Sequence, residues 1–320
     1  MPDNPLDPGL AAYYIRLNAE LGPLPPNPTA AERRARIETI GRMEARPYPA
    51  DLAVTDHYLA LPGRELPVRL YRPASSEPTG MMVYLHGGGW VIGSIASHDR
   101  LCVELAAGSG VAIASVHYRR APETPFPGPC DDAAAALAIL AGMAPALGCD
   151  PQRMGIGGDS SGAHLAIGAA FGARDAGLAL RFQLLIYPVI DPGCDSESYR
   201  RFGSSGPLSA ADMRWFWQQF LGGHEAHADR RIAPLTAGPE GLPPAYIVTA
   251  ELDPLRDEAE AFGAHLRGAG VATEIVRVPG MVHGFARLTA HSAAAAAAVA
   301  AMAQGLRKGL SRPAVMEINR

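Results

Sequence analysis

Gly158-Asp159-Ser160-Ser161-Gly162 follows a short apolar run and opens an alanine-rich stretch of helical character. A serine at so tight a strand-to-helix junction needs glycines on both sides, because neighbouring side chains would collide with the adjoining strand or helix. The turn also places the hydroxyl at a helix start, where unpaired N–H groups favour developing negative charge. The pattern therefore suits a nucleophile. A plain glycine-rich turn is the simpler reading, and a dinucleotide loop is excluded because Ser160 stands where Gly155 and Gly157 would need a third glycine.

His86-Gly87-Gly88-Gly89-Trp90 lies upstream, again directly after an apolar run. Three glycines leave the main chain bare, so that its N–H groups, with that of Ser161, can surround the oxyanion of a tetrahedral intermediate. His86 itself reads as a residue that pins this loop. A serine hydroxyl needs a base, and the base needs an acid to hold its tautomer. Asp253 and His283 supply these in the order expected after a serine elbow, and each follows a strand-like run. His117, His164, His265 and His291 fall in strand ends or helices and read as structural or surface histidines. Glu251 reads as a supporting hydrogen-bonding group, and Asp257 and Glu258 as first-turn carboxylates that offset a helix dipole.

The rest of the composition narrows the chemistry. Lys308 is the lone lysine among 28 basic residues, which removes Schiff-base lysines, Walker-type loops and Ser-x-x-Lys pairs. With 32 acidic residues and a formal charge of −4 there is no basic stripe for nucleic acid. Cys102, Cys130, Cys149 and Cys194 form no C-x-x-C pair and suit a reducing cytoplasm. The first residues lack the basic and apolar character of a secretory leader, and the alanine run at 293–303 is too short and weakly apolar to span a membrane. A cytoplasmic location is the expectation.

Strand-length runs at 54–59, 66–71, 81–85, 111–116, 154–157, 182–187, 245–250 and 273–278 must position these groups. Helix-length segments at 97–107, 131–143, 160–173, 256–267 and 292–306 lie between the later strands or follow the last of them. This alternation predicts an α/β fold, a mostly parallel eight-stranded sheet with helices on both faces. Two regions depart from it. Residues 1–47 carry two helices separated by a proline-rich run, the second opened by a Thr29/Glu32 capping box. Residues 191–235 contain no strand, but an aromatic helix capped by Ser209 and Asp212.

Together the H-G-G-G-W loop, the serine elbow, Tyr118-Arg119-Arg120-Ala121-Pro122-Glu123, the Leu252–Glu258 segment and His283-Gly284-Phe285 resemble the bacterial hormone-sensitive-lipase family of carboxylesterases, family IV. The resemblance runs from about residue 48 to 307. It implies the α/β-hydrolase fold, with Ser160 as nucleophile, Asp253 and His283 as its partners, and Gly88, Gly89 and Ser161 as oxyanion donors. It also implies a helical cap of residues 1–47 and 191–235 over a core of 48–190 and 236–320. The elbow departs from the family's G-D-S-A-G-G in having Ser161 and Ala163; a backbone donor tolerates the first exchange.

The expected function is hydrolysis of short-to-medium acyl esters through an acyl-enzyme, with a small-molecule ester as substrate and no metal or organic cofactor. A homodimer is a possible assembly. Trp90, Trp215 and Phe216 are candidate walls of the substrate pocket, although aromatic residues at helical spacing also form a segment's own core. The alternatives are an amidase or acyltransferase of the same fold, and a non-catalytic small-molecule receptor, which would be expected to have lost part of the constellation.

Overall fold

In the computed structural model, which describes residues 5–204, 206–225 and 229–311, eight strands form one sheet in the order β1-β2-β4-β3-β5-β6-β7-β8. They are β1 (Leu52–Leu61), β2 (Arg64–Pro73), β3 (Thr79–Leu85), β4 (Ala112–Val116), β5 (Cys149–Asp159), β6 (Phe182–Ile186), β7 (Ala245–Leu252) and β8 (Thr273–Val282). β1 and β2 form an antiparallel hairpin, and β2 joins β4 antiparallel. All later pairings are parallel. Each expected strand is present, and the observed bounds mostly run a few residues longer.

The central strands are apolar on both faces because helices cover both. Along β3, Met81, Val83 and Leu85 join one buried cluster and Met82 and Tyr84 the other. α4 (Gly128–Met143), α5 (Ser161–Asp175) and α8 (Arg256–Gly268) contribute to the first cluster; α3 (Asp99–Ser109) and α9 (Ala293–Gly309) contribute to the second. The alanine run is indeed a helix, capped at its start by Ser292, whose side chain accepts from the backbone N–H of Ala295 at 3.1 Å.

The N-terminal region forms α1 (Pro8–Leu21) and α2 (Ala30–Met43), with the Thr29/Glu32 capping box intact. α1 buries Leu10, Tyr13 and Leu17 in the second cluster, whereas α2 has no fully buried residue and packs Ile40 and Met43 against the edge of that cluster. Between β6 and β7 lie α6 (Glu197–Phe202) and α7 (Ala210–Leu221). α6 has no counterpart among the expected helices: six residues are too few to show a helical period. Arg33 of α2 pairs with Asp212 of α7 at 2.9 Å, joining the two irregular regions. Residues 1–4, 205, 226–228 and 312–320 of the expected segments lie outside the described residues. Among the described residues no helix is long and apolar enough to cross a membrane.

Candidate active site

Ser160 stands between β5 and α5 with φ +55° and ψ −123°, a conformation that L-residues rarely adopt. Its backbone N–H donates to the carbonyl of Ile186 at 2.8 Å, which fixes the turn to the neighbouring strand. A Cβ at Gly158 or Gly162 would collide with the carbonyl oxygen of Leu85, so both glycines of the elbow answer a steric demand.

The ends of β7 and β8 bring two further groups to this turn. His283 Nε2 lies 3.0 Å from Ser160 Oγ, and His283 Nδ1 lies 2.7 Å from Asp253 Oδ2. Asp253 is fully buried, and its other oxygen accepts from the N–H of Leu255 at 3.0 Å. With its proton on Nδ1, His283 donates to Asp253 and leaves Nε2 to accept from the serine hydroxyl. Such an arrangement can draw a proton from Ser160 as the oxygen attacks an electrophile. The structure thus brings together the three side chains singled out in the sequence.

Gly88 and Gly89 line the same cleft as Ser160 and have φ of +120° and +56°. The glycine loop is braced from several sides. Asp159 accepts from the N–H of Gly87 at 2.8 Å and from the Tyr84 hydroxyl at 2.6 Å. Burial would raise the Asp159 carboxyl, but His98 and the Tyr84 hydrogen bond hold it below the usual carboxylate range. Tyr118 donates its hydroxyl to the carbonyl of His86 at 2.8 Å, and Ala121 donates its N–H to the carbonyl of Trp90 at 3.0 Å. His86 is buried and stacked on Tyr118 with centroids 4.4 Å apart; burial pushes it down so that it stays neutral, as a pin. Ser161 Oγ accepts from the N–H of Trp90 at 3.0 Å.

Of the three aromatic candidates for the pocket wall, only Phe216 lines the cleft, with its ring against Gly89. Trp90 and Trp215 do not. Trp90 is fully buried beneath the loop, stacked on Phe220 at 4.3 Å and 4.4 Å from Trp217. Trp215 points from α7 toward α2, where the Arg33 guanidinium lies 4.6 Å above its ring. The helical spacing that marked Trp215 reflects packing between elements. The cleft, about 580 Å³, is walled instead by Tyr13, Tyr14, Ile37, Leu208, Met213 and Phe216 among others.

The rejected candidates have structural partners. His164 is buried with Nε2 facing the carbonyl of Ile232 at 2.9 Å, and burial pushes its pKa down to about 4. His265 and His291 meet the carbonyl of Ala237 and the carboxylate of Glu44, respectively. Glu251 accepts from the N–H of Gly280, Asp257 from that of Ser198, and Glu258 from that of Ile190. Sequence reasoning missed Arg34. Its guanidinium donates to the carbonyls of Val91 and Ala121, each at 2.8 Å, and forks onto Glu123, holding that carboxyl down to about 2. Nothing local marks this residue, since its partners lie 57 to 89 positions away. Arg287, which also lines the cleft, was missed because nothing in its local sequence places it beside the site.

A mostly parallel sheet with a serine elbow after its fifth strand, and an acid and a histidine after the seventh and eighth, defines an α/β-hydrolase. The alpha/beta hydrolase fold family matches residues 82–287, and the chain belongs to that family. The resemblance to the hormone-sensitive-lipase branch of carboxylesterases holds. The chain is 38% identical over 298 residues to an ethyl acetate hydrolase of Pseudomonas putida, covering 88% of this chain and 92% of that one. It is 36% identical over 288 residues to the carboxylic ester hydrolase LipN of Mycobacterium tuberculosis, covering 87% and 76% of the two. A solved thermostable esterase from Pseudomonas putida ECU1011 superimposes with a TM-score of 0.90 at 31% identity, covering 98% of this chain and all of the other.

Proposed function

We propose that the chain is a serine carboxylesterase acting on short-to-medium acyl esters. The observation that carries this is the unbroken relay from Asp253 through His283 to Ser160, with bare glycine backbone in the same cleft. Ser160 Oγ attacks the ester carbonyl while His283 takes its proton. The carbonyl oxygen becomes an oxyanion held by the N–H groups of Gly88, Gly89 and Ser161. His283 then protonates the leaving alkoxide, which departs as an alcohol and leaves the acyl group on Ser160. Water, deprotonated by His283, attacks this acyl-enzyme; collapse releases the acid and returns the proton to Ser160. Asp253 orients His283 and stabilises its charged form.

Residues 1–47 and 191–235 act as a cap over a core of 48–190 and 236–320. The Arg33–Asp212 pair between them supports this division, as does their shared lining of the cleft. The relatives named as an ethyl acetate hydrolase and a carboxylic ester hydrolase support small esters. All four cysteines are buried and unpaired, which supports a reducing, cytoplasmic compartment.

Chromogenic esters of increasing acyl length, run beside the matching anilides and the Ser160→Ala variant, test the reading. Ester turnover by the wild type, falling with acyl length and abolished in Ser160→Ala, is expected. Equal, slow hydrolysis by both proteins would sink it, and faster anilide turnover would make the enzyme an amidase.

A further inference from the structure

Charged groups in the cleft are satisfied by partners with one exception. Arg33 pairs with Asp212, and Asp159 accepts from Tyr84 and Gly87. Arg36 of α2 gives one hydrogen bond to the carbonyl of Gly22, at 2.7 Å, and has no ion pair among the described residues. The guanidinium of Arg287 makes neither a hydrogen bond nor an ion pair with any described residue, although it is half-buried in the cleft wall. An arginine held partly out of water without an acceptor loses hydration and regains no hydrogen bond in its place.

Arg287 is placed beside the reacting groups. It ends the short 3-10 turn Phe285–Arg287, four positions after His283. One of its terminal nitrogens comes within 3.5 Å of where a Cβ on Gly284 would stand, so the guanidinium lies along the backbone that follows His283. Tyr13 and Tyr14 face it from α1. Burial raises both phenols, that of Tyr13 to about 12, while Arg287 draws them back, so both remain protonated hydrogen-bond donors. The acids around this group are engaged: Asp159 as above, and Glu44 on His291 at 2.9 Å. This end of the cleft therefore offers a planar cationic fork and phenolic donors, with Arg36 as a second cation in the lining; Asp159, which the charge of Arg287 helps to keep ionised, stands near enough to feel it but accepts no hydrogen bond from it.

Resting on the esterase reading, we propose that the preferred substrates are esters that carry a free carboxylate, such as monoesters of short dicarboxylic acids, and that Arg287 binds this group. A guanidinium recognises a carboxylate through two parallel N–H···O bonds, which a neutral ester end cannot accept with comparable strength. Arg36 adds charge without the direct approach.

The test compares monoethyl succinate with ethyl butyrate, matched in length and differing in the terminal carboxylate. It uses the wild type, Arg287→Gln and Arg287→Lys at low and high salt. The wild type should favour the anionic ester in kcat/KM, mainly through KM. The anionic-to-neutral ratio should fall about tenfold or more in Arg287→Gln, partly return in Arg287→Lys, and shrink with salt in the wild type. A wild-type ratio at or below one, or a ratio unmoved by Arg287→Gln, would overturn the proposal. A folded Arg287→Gln protein is verified by its thermal transition. Should that variant fail to fold, binding of monoethyl succinate against ethyl butyrate to the Ser160→Ala protein by calorimetry decides: tighter binding of the anionic ester supports the site and equal binding overturns it. Serine-dependent turnover of ethyl butyrate stands whichever way the ratio falls, so failure here is separable from failure of the esterase reading.

Discussion

The hydroxyl of Ser161 accepts the backbone N–H of Trp90 at 3.0 Å, so the residue after the proposed nucleophile is tied to the residue after the glycine loop. The elbow and the loop follow different strands, and this bond ties them together. The side chain is fully buried, and Trp90 itself is held at φ +60°. The extra hydroxyl that distinguishes this elbow from the usual family sequence therefore has a structural use.

Ser161→Ala leaves the buried N–H of Trp90 without that acceptor, which should cost about 1–3 kcal/mol of stability by denaturant titration. Its backbone N–H remains, so kcat/KM should stay within about tenfold of wild type. A loss beyond about 100-fold, equivalent to about 2.7 kcal/mol of barrier, would assign the hydroxyl a part in the catalytic step itself.

Arg34 reaches from α2 to the carbonyl of Val91 at 2.8 Å, just past the glycine loop. Arg34→Met should lower kcat roughly tenfold while leaving KM within about twofold, since a loosened loop weakens oxyanion binding more than ground-state binding. Arg34→Lys should recover little, because a point charge cannot serve two carbonyls and a carboxylate together. A drop in thermal stability with kcat unchanged would limit Arg34 to holding α2 in place.

At Gly89 the backbone φ is +56°, and a Cβ there would overlap the Phe216 ring. Gly89→Ala should cost about 100-fold or more in kcat/KM, comparable to losing one oxyanion donor. Adding Phe216→Ala should restore about tenfold of that if the ring is the obstacle. Absence of any recovery in the double variant would place the whole loss on the backbone conformation.

Burial pushes His117 and His164 down to about 4, and holds His86 low as well. Below the ordinary imidazole range of about 6.5 the unfolded chain takes up protons that the folded chain refuses, so stability falls as pH drops from about 6.5 toward 4. Each such histidine contributes a slope of up to about 1.4 kcal/mol per pH unit. Glu258, raised by burial, acts in the opposite sense above its ordinary range. The comparison is therefore made by difference. His164→Gln, whose amide can still donate to the carbonyl of Ile232, should flatten the stability curve between pH 6.5 and 4. An unchanged slope would remove His164 from the account.

The central strands were legible because both-face burial leaves continuous apolar runs, and the elbow because its glycines answer a collision with Leu85. Ser160, Asp253 and His283 were legible because each follows a strand in a fixed chain order. What stayed hidden depends on partners remote in sequence. Arg34 reads as one more arginine on a polar helix until Val91 and Glu123 are folded against it. Trp90 reads as a pocket wall because a loop tryptophan gives no sign of the Phe220 ring that covers it. Arg287 shows its character only through the acceptors it lacks among the described residues. Short α6 offered too few residues for any periodic signal.

The burial of Trp90 also makes the glycine loop optically visible. The chain has three tryptophans, and Trp90 and Trp217 sit with ring centroids 4.4 Å apart in one apolar cluster. Trp90 is part of the H-G-G-G-W segment itself, so any displacement of the loop changes the surroundings of an emitting ring. Intrinsic fluorescence thus follows the geometry of the loop without an added label, while Trp215, under the Arg33 guanidinium, reports separately on the contact between α2 and α7.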